Sequence, residues 1–400
     1  MAATPYLRRH GYTEQTIITT STITTSTTRE VPTHVHIDMP TTVDIQRIAA
    51  GTDPLSVSIY LPTSTIPSDD EQNRLRARAL FEKAIEEINS RTDKRTARAY
   101  AEMLLELLDD DDFWSHVGAS LAIFATPAGA TEFRLPNTLT EYVSVADRFT
   151  ITPLLRAVTF PSAALVLALS QNGARLIEVS PDGPSVELAI EDLPSNAERM
   201  FGLRSIGGRS PYGRIQGDEG RKVRLTQYAR AVDHALRPYL NGHSLPLILA
   251  STQPLDGIYR GLNGYAGLLE QSIDGNPDEM TPAELATAAR PLVDAHHRAE
   301  LAELHELFAA RSNAGRASTD VAGIARAAVA GAVATLFIDM DAEQPGTIDA
   351  EGALLPNTDG RDILEDLAHI ALDTDSRVLA VRSADVPEGA SCAAILRYAI

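Results

Sequence analysis

The apolar residues of this chain fall in short dense runs, separated by longer stretches where they recur every three or four positions. Leu55 to Leu61 (LSVSIYL), Ala164 to Leu169 (ALVLAL), Leu245 to Ala250 (LPLILA) and Ala334 to Asp339 (ATLFID) are the clearest runs. Runs of this length suit buried strands, and the periodic stretches between them suit amphipathic helices. The pattern therefore predicts an α/β chain. None of the runs approaches the ~18 consecutive apolar residues of a membrane helix, which argues against a spanning protein. With 400 residues and 44% hydrophobic content, the chain exceeds the ~100–200 residues of one ordinary domain. The runs group into three blocks behind a tail. The predicted organisation is a Thr/Ser-rich tail over 1–40, an α/β domain over 41–158, a central domain over 159–312 and a small α/β/α sandwich over 313–400.

Eleven of the sixteen residues from Thr13 to Thr28 are Ser or Thr, too polar a composition to form a core, so a flexible arm is expected there. In the first block Val57, Ile59 and Leu61 alternate along a strand that Pro62 ends. Ser68 opens a helix whose first turn carries Asp69, Asp70 and Glu71, and the spacing of Leu75, Ala79, Ile85 and Ile88 predicts its buried face. A second helix is expected from Lys94 to Leu108, and strands at Ala119 to Ala125, Glu132 to Leu135 and Tyr142 to Ala146. The acidic run Asp109 to Asp112 reads as a solvated loop rather than a cation site.

In the central block, Ala164 to Leu169 and Arg175 to Val179 flank Asn172-Gly173, the sequence signature of a hairpin with a type I′ turn. A strand at Val186 to Ile190 precedes a long loop, Ser195 to Gly220, with no apolar period. A helix is expected from Arg221 to Leu240, its apolar spacing including Val223, Tyr228, Val232 and Leu236. The strand Leu245 to Ala250 and a helix from Pro254 follow. Thr281 caps a helix running to about Arg311 that links domains, with Pro291 as a kink or a new start. In the last block, helices at Val321 to Ala330 and Arg361 to Leu372 alternate with strands at Ala334 to Asp339, Val378 to Val381 and Ala393 to Tyr398.

The net charge of −19 excludes a protein that coats nucleic acid with its whole surface. Its distribution is uneven. From Arg199 to Arg237 there are nine cations and three anions, a local net of +6 that leaves −25 elsewhere. A glycine-rich cationic segment on an acidic body suits contact with a phosphate backbone. A solvated face whose arginines pair with that body is the plainer alternative. From Ser318 to Ile400, fourteen carboxylates face five arginines, which favours a protein partner over RNA there. The single cysteine, Cys392, cannot form an internal disulfide, and Arg8-Arg9 precedes no apolar signal segment. A cytoplasmic protein is expected.

Several chemistries lack their motifs. There is no Gly-x-x-x-x-Gly-Lys-Ser/Thr phosphate loop and no Gly-x-Ser-x-Gly nucleophile elbow. Gly261, Gly264 and Gly267 lack a dinucleotide-binding spacing and read as packing or turn glycines. His296, His297 and His305 with Asp294 do not have the spacing of a metal site, since adjacent helical residues point about 100° apart. No metal and no cofactor is expected.

Ile206-Gly207-Gly208-Arg209-Ser210, Gly331 to Ile338 and Ala394 to Tyr398 together resemble the bacterial archaeo-eukaryotic release-factor-like family (baeRF), relatives of Pelota and of the archaeal and eukaryotic class-one peptide chain release factors. Ile206-Gly207-Gly208-Arg209-Ser210, after the hairpin, sits where release factors carry a Gly-Gly-Gln loop. Gly331 to Ile338 (GAVATLFI) is similar to the helix-to-strand signature of the third domain, and Ala394 to Tyr398 (AILRY) to its final strand. Leu55 to Thr63, Asp147-Arg148-Phe149 with Pro153-Leu154-Leu155, and Gly275-Asn276-Pro277-Asp278 resemble one bacterial branch. The resemblance implies a divergent N-terminal α/β domain, an RNase H-like central domain and a third domain of the Pelota type. It also implies action at the ribosomal A site, by rescue or hibernation. Arg204, Gly207, Gly208, Arg209, Arg214, Gly217, Arg221, Lys222 and Arg224 would then face ribosomal RNA near the peptidyl-transferase centre. The acidic last domain would meet a translational GTPase such as EF-Tu. An arginine donates hydrogen bonds but cannot accept them, so Arg209 cannot do what the release-factor glutamine does. Binding without peptide release fits best. Two alternatives stay open: a peptidyl-tRNA hydrolase in which Gln216 orients the water, and a protein-interaction adaptor that does not bind ribosomes.

Overall fold

The computed structural model describes residues 39–115, 117–161, 163–180, 185–200, 218–241, 245–356 and 361–399. The N-terminal arm and the Gly/Arg-rich stretch 201–217 lie outside them.

Helix α1 (Thr42–Ala50) begins in a capping box: Thr41 Oγ1 accepts from Asp44 N–H while the Asp44 carboxylate accepts from Thr41 N–H. Strand β1 (Thr52–Pro62) is the hub of an antiparallel sheet ordered β3-β2-β1-β4, with β2 (Ser120–Thr126), β3 (Gly129–Leu135) and β4 (Tyr142–Arg148). On one face of β1, Val57, Ile59 and Leu61 pack under α2 (Asp70–Arg91) and α3 (Lys94–Asp109). The other face is also buried, because Tyr60 turns into a second core and donates to the Thr150 carbonyl at 2.6 Å. Ser58 is buried without cost because its Oγ accepts from Thr150 N–H.

The buried stripe of α2 is Asn73, Ala77, Phe81, Ala84 and Ile88, while Leu75 is 67% exposed. Of the predicted face, Ile88 lies in this stripe and Ile85 packs partly against it, while Leu75 and Ala79 face water. Asn73 turns inward because its amide donates to the Ser64 carbonyl and accepts from Ser64 N–H, tying the helix to the end of β1. The acidic run is not a plain loop: Asp110 accepts from Phe113 N–H and caps the short α4 (Asp111–Trp114), which buries Phe113 and Trp114. Helix α5 (Thr152–Thr159), whose eight residues show no clear period in the sequence, bridges the first sheet to the remainder.

The second sheet is ordered β7-β6-β5-β8-β9 from β5 (Ala164–Leu169), β6 (Ala174–Val179), β7 (Val186–Leu188), β8 (Leu247–Ser251) and β9 (Leu268–Ile273). β5, β8 and β9 run parallel, and β6 runs antiparallel to its neighbours, the mixed arrangement expected of an RNase H-like sheet. The β5–β6 turn is not type I′, since neither Asn172 nor Gly173 has a positive φ. Ser170 closes it instead: its N–H donates to the Gly173 carbonyl and its Oγ accepts from Asn172 and Gly173 N–H. Helix α6 (Ala197–Met200) lies inside the predicted loop, and α7 (Asp218–Leu240) starts three residues before the predicted Arg221. α8 (Leu255–Arg260) follows β8. β9 carries three consecutive polar residues, Glu270, Gln271 and Ser272, and escaped the apolar-run criterion.

Helix α9 (Pro282–Ser312) is continuous through Pro291 and starts in a Thr281–Glu284 capping box. Its 31 residues span about 46 Å. The first half packs Leu285, Ala286, Ala289 and Val293 on the second sheet, and Phe308 in the second half packs on the third. The third sheet, β10-β15-β11-β14, combines β10 (Ala317–Ser318), β11 (Val333–Asp339), β14 (Arg377–Val381) and β15 (Cys392–Leu396). A small ribbon of β12 (Thr347–Ile348) and β13 (Leu354–Leu355) lies between β11 and β14 in the chain. α10 (Val321–Val329) and α11 (Ile363–Asp373) cover the face opposite α9, which makes an α/β/α sandwich. One apolar core runs from Tyr60 and Phe124 through Leu165 and Leu167 to Leu336 and Leu367, so the three sheets are joined by buried surface.

Helix α11 seals the junction of first and third sheets. His369, 1% exposed, approaches the Ala49 carbonyl with Nδ1 (3.0 Å) and the Phe149 carbonyl with Nε2 (2.8 Å). Glu365, one turn earlier, accepts from Ile151 N–H, Thr152 N–H and the Thr152 hydroxyl, capping α5 from another element.

Candidate functional site

Helix α7 buries Leu225, Tyr228, Ala229, Val232, Leu236 and Leu240 against the leucines of β5, β6 and β8. That stripe fixes which residues face water. Arg221, Lys222 and Arg224 are all exposed in the first two turns, and Arg230, His234 and Arg237 continue the outer face. Val223, assigned to the apolar spacing from the sequence, is 49% exposed and belongs to this outer face. The inward acid Asp233, 4% exposed, is held by Arg237 at 2.7 Å and by the Asn263 amide at 3.2 Å. The other predicted site residues, Arg204, Gly207, Gly208, Arg209, Arg214, Gln216 and Gly217, lie outside the described residues.

Both flanks of that stretch are placed. The chain leaves α6 at Met200 and re-enters at Asp218 in α7. Ala197 N–H donates to the Gln171 carbonyl (3.0 Å), which holds α6 on the β5–β6 turn. α7 descends toward the start of β8, parallel to β5, so its first turn lies near the carboxyl end of these strands. In open α/β sheets this edge is where ligands bind. The edge is rigid. Asp278 accepts from the Ser170 hydroxyl at 2.5 Å and from the Asn172 amide at 2.6 Å, and Arg175 donates to the Pro277 and Met280 carbonyls at 2.7 and 3.0 Å. These contacts give Asn276-Pro277-Asp278 a scaffolding role. The far side is pinned by Arg260, which donates to Asp256, the Leu269 carbonyl and the Ser272 hydroxyl.

One acid on this sheet was not singled out from the sequence. Glu178 on β6 is 3% exposed, and its Oε2 has no partner among the described residues. Burial alone pushes its carboxyl up to about 7. An isolated glutamate inside a strand carries no pattern that marks it, since its burial comes from α7 packing above it.

The His296 and His297 rings are 5.8 Å apart, and the histidines singled out earlier make separate contacts. His305 bonds the Asp385 carbonyl through Nε2 at 2.8 Å, and His297 packs on Phe160 with ring centroids 5.2 Å apart. Among the described residues, no group of three His, Cys, Asp or Glu side chains is arranged to hold a metal ion. No described helix is long and apolar enough to cross a membrane.

Residues 161–299, which carry the second sheet and the helices on it, match the model of bacterial archaeo-eukaryotic release factor family 11. No curated protein matches the chain. Among solved structures, an archaeal translation termination factor, aRF1, aligns at 16% identity over 90% of this chain and 99% of that one, with TM-score 0.23. Archaeal Pelota, from a ribosome-bound assembly with ABCE1, aligns at 14% identity over 66% and 73% of the two chains, with TM-score 0.38. Dom34 of S. cerevisiae, a translation termination-like factor involved in RNA quality control and interacting with Hbs1, aligns at 12% identity over 70% and 80%, with TM-score 0.37.

Proposed function

Taking the chain as a relative of the bacterial archaeo-eukaryotic release factors, we propose that it is a translation factor that enters the ribosomal A site and sets its basic segment, Arg199 to Arg237, against ribosomal RNA. One observation carries the reading: the segment with a local charge of +6 is rooted at the carboxyl edge of β5 and β8, and its continuation on α7 exposes Arg221, Lys222 and Arg224. A rigid edge beneath concentrated cations suits a polyanion, while the acidic body repels RNA elsewhere and so restricts the orientations that bind. The acidic C-terminal sheet and its helices then face a protein, with a translational GTPase such as EF-Tu as the candidate. The role is rescue or hibernation in the cytoplasm, by binding rather than chemistry, since Arg209 stands where release factors carry glutamine.

Co-sedimentation with purified ribosomes at two salt concentrations tests this. The Arg204→Ala, Arg209→Ala, Arg214→Ala triple variant should bind more weakly, and its salt dependence should flatten by about one unit of log–log slope per lost phosphate contact. Unchanged binding by the triple variant would place the contact elsewhere, and no ribosome peak at low salt would favour the adaptor reading. Gln216 carries the enzymatic alternative. Release of peptide from peptidyl-tRNA-loaded ribosomes, abolished by Gln216→Ala, would make the protein a hydrolase.

A further inference from the structure

A cavity of about 720 Å³ opens where α5, α9 and the carboxyl ends of β11 and β14 meet. β11 and β14 are the parallel pair of the third sheet, so this is the ligand-binding edge of an α/β unit. The volume falls within the ~300–1,000 Å³ typical of small-molecule sites.

Its lining is chemically mixed. Arg156 comes from α5, Arg298 from α9 and Arg382 from the end of β14. Among the described residues, Arg298 and Arg382 have no carboxylate within ion-pair distance, and Arg156 has only the exposed Asp341 at 3.6 Å. Two carboxylates, Asp294 and Asp385, also line the cavity, so it selects for an anion that engages several guanidiniums rather than for any anion. Opposite charge is not its only feature. Phe160 and His297 form an aromatic wall, their rings tilted at 48°, and burial together with neighbouring His296 lowers the His297 pKa and favours the neutral imidazole. Asn137 lines the same space. His305 steadies the rim by bonding the Asp385 carbonyl at 2.8 Å.

We propose that this cavity binds a nucleotide, with the phosphate on Arg156, Arg298 and Arg382 and the base against Phe160 and His297. A phosphate oxygen pair matches the guanidinium fork, and a base supplies the planar π face. The same chemistry is presented by a free mononucleotide and by a terminal nucleotide of RNA.

The test is calorimetric titration of the full-length protein, without ribosomes, with AMP, with GMP and with a 5′-phosphorylated RNA tetranucleotide, each repeated with inorganic phosphate as the competing probe. Saturable binding of a mononucleotide identifies the free ligand as the source. Saturable binding of the tetranucleotide alone identifies an RNA end. In either case Arg298→Ala with Arg382→Ala should weaken affinity at least tenfold at unchanged Tm, both side chains being exposed, and Phe160→Leu should weaken nucleotide but not phosphate binding. The proposal is overturned by an absence of saturable binding in every arm at millimolar ligand, by affinity indifferent to the double arginine substitution, or by phosphate binding as tightly as the nucleotides.

Discussion

Replacing His369 with alanine would cut a buried junction that no single sheet contains. A neutral imidazole carries one N–H, yet both His369 nitrogens sit on carbonyls, at 3.0 Å from Ala49 and 2.8 Å from Phe149. Both contacts are hydrogen bonds only when the ring is the doubly protonated imidazolium. Burial opposes that charge, and so does Arg148. The Glu365 hydrogen bond and charge and the Phe149 carbonyl outweigh them, so the pKa is raised above its ordinary 6.5. His369→Ala leaves two buried carbonyls unsatisfied at about 1–3 kcal/mol each, to which the vacated ring volume adds. A loss on the order of 3–6 kcal/mol is expected, a large share of the ~5–15 kcal/mol typical of a folded domain. The pH dependence carries a definite sign. Because the folded value is raised, the contribution is fully present below about 6.5 and disappears as pH rises through the folded value. Urea unfolding followed by the single buried Trp114 between pH 5.5 and 9 measures both effects. The wild type should lose stability upward from about pH 6.5, and the alanine variant should lack this component of the slope. A variant within about 1 kcal/mol of wild type at pH 6, or one retaining the full slope, would refute the imidazolium.

Two further outcomes follow from the same physics. Glu178 is raised from 4.5 to about 7 by burial, so its contribution to stability falls as pH rises from 4.5 to 7, by on the order of 3 kcal/mol. Glu178→Gln should flatten that interval and be the more stable protein at pH 8 in denaturant titrations; a steeper interval would contradict the buried carboxyl. Phe308→Ala should cost about 3–5 kcal/mol and raise hydrogen exchange in β14 and β15 while α9 stays protected around Leu285 and Ala289, because Phe308 packs on the third sheet and those residues on the second. Equal loss of protection along the whole helix would mean that α9 releases both sheets together.

Local chemistry made much of the fold legible. The runs at Val57–Leu61, Ala164–Leu169 and Leu336–Ile338 lie in strands, because a dense apolar run is stable only when covered on both faces. Thr281 with Glu284 closes a capping box as its spacing implies, and the mixed α/β class follows from the alternation of periods. The basic character of Arg221, Lys222 and Arg224, and their place on a helix, were equally visible. Other features depended on distant partners. The buried stripe of α2 is set by Asn73 meeting the Ser64 backbone, and apolar spacing assigned Leu75 instead. The Asn172-Gly173 turn takes its shape from Ser170 and Asp278 rather than from its own preference. Short α5 and half-polar β9 are held by what they pack against. The cavity beside α9 draws Asn137, Arg156, His297 and Arg382 from four separate parts of the chain, and the His369 junction joins residues 220 and 320 positions apart. Periods and caps act within a few residues and can be read one-dimensionally. Burial, an unshared carbonyl and the spacing of guanidiniums around an empty volume arise only when distant segments are brought together, and those are the terms that decide where this protein is charged, jointed and open.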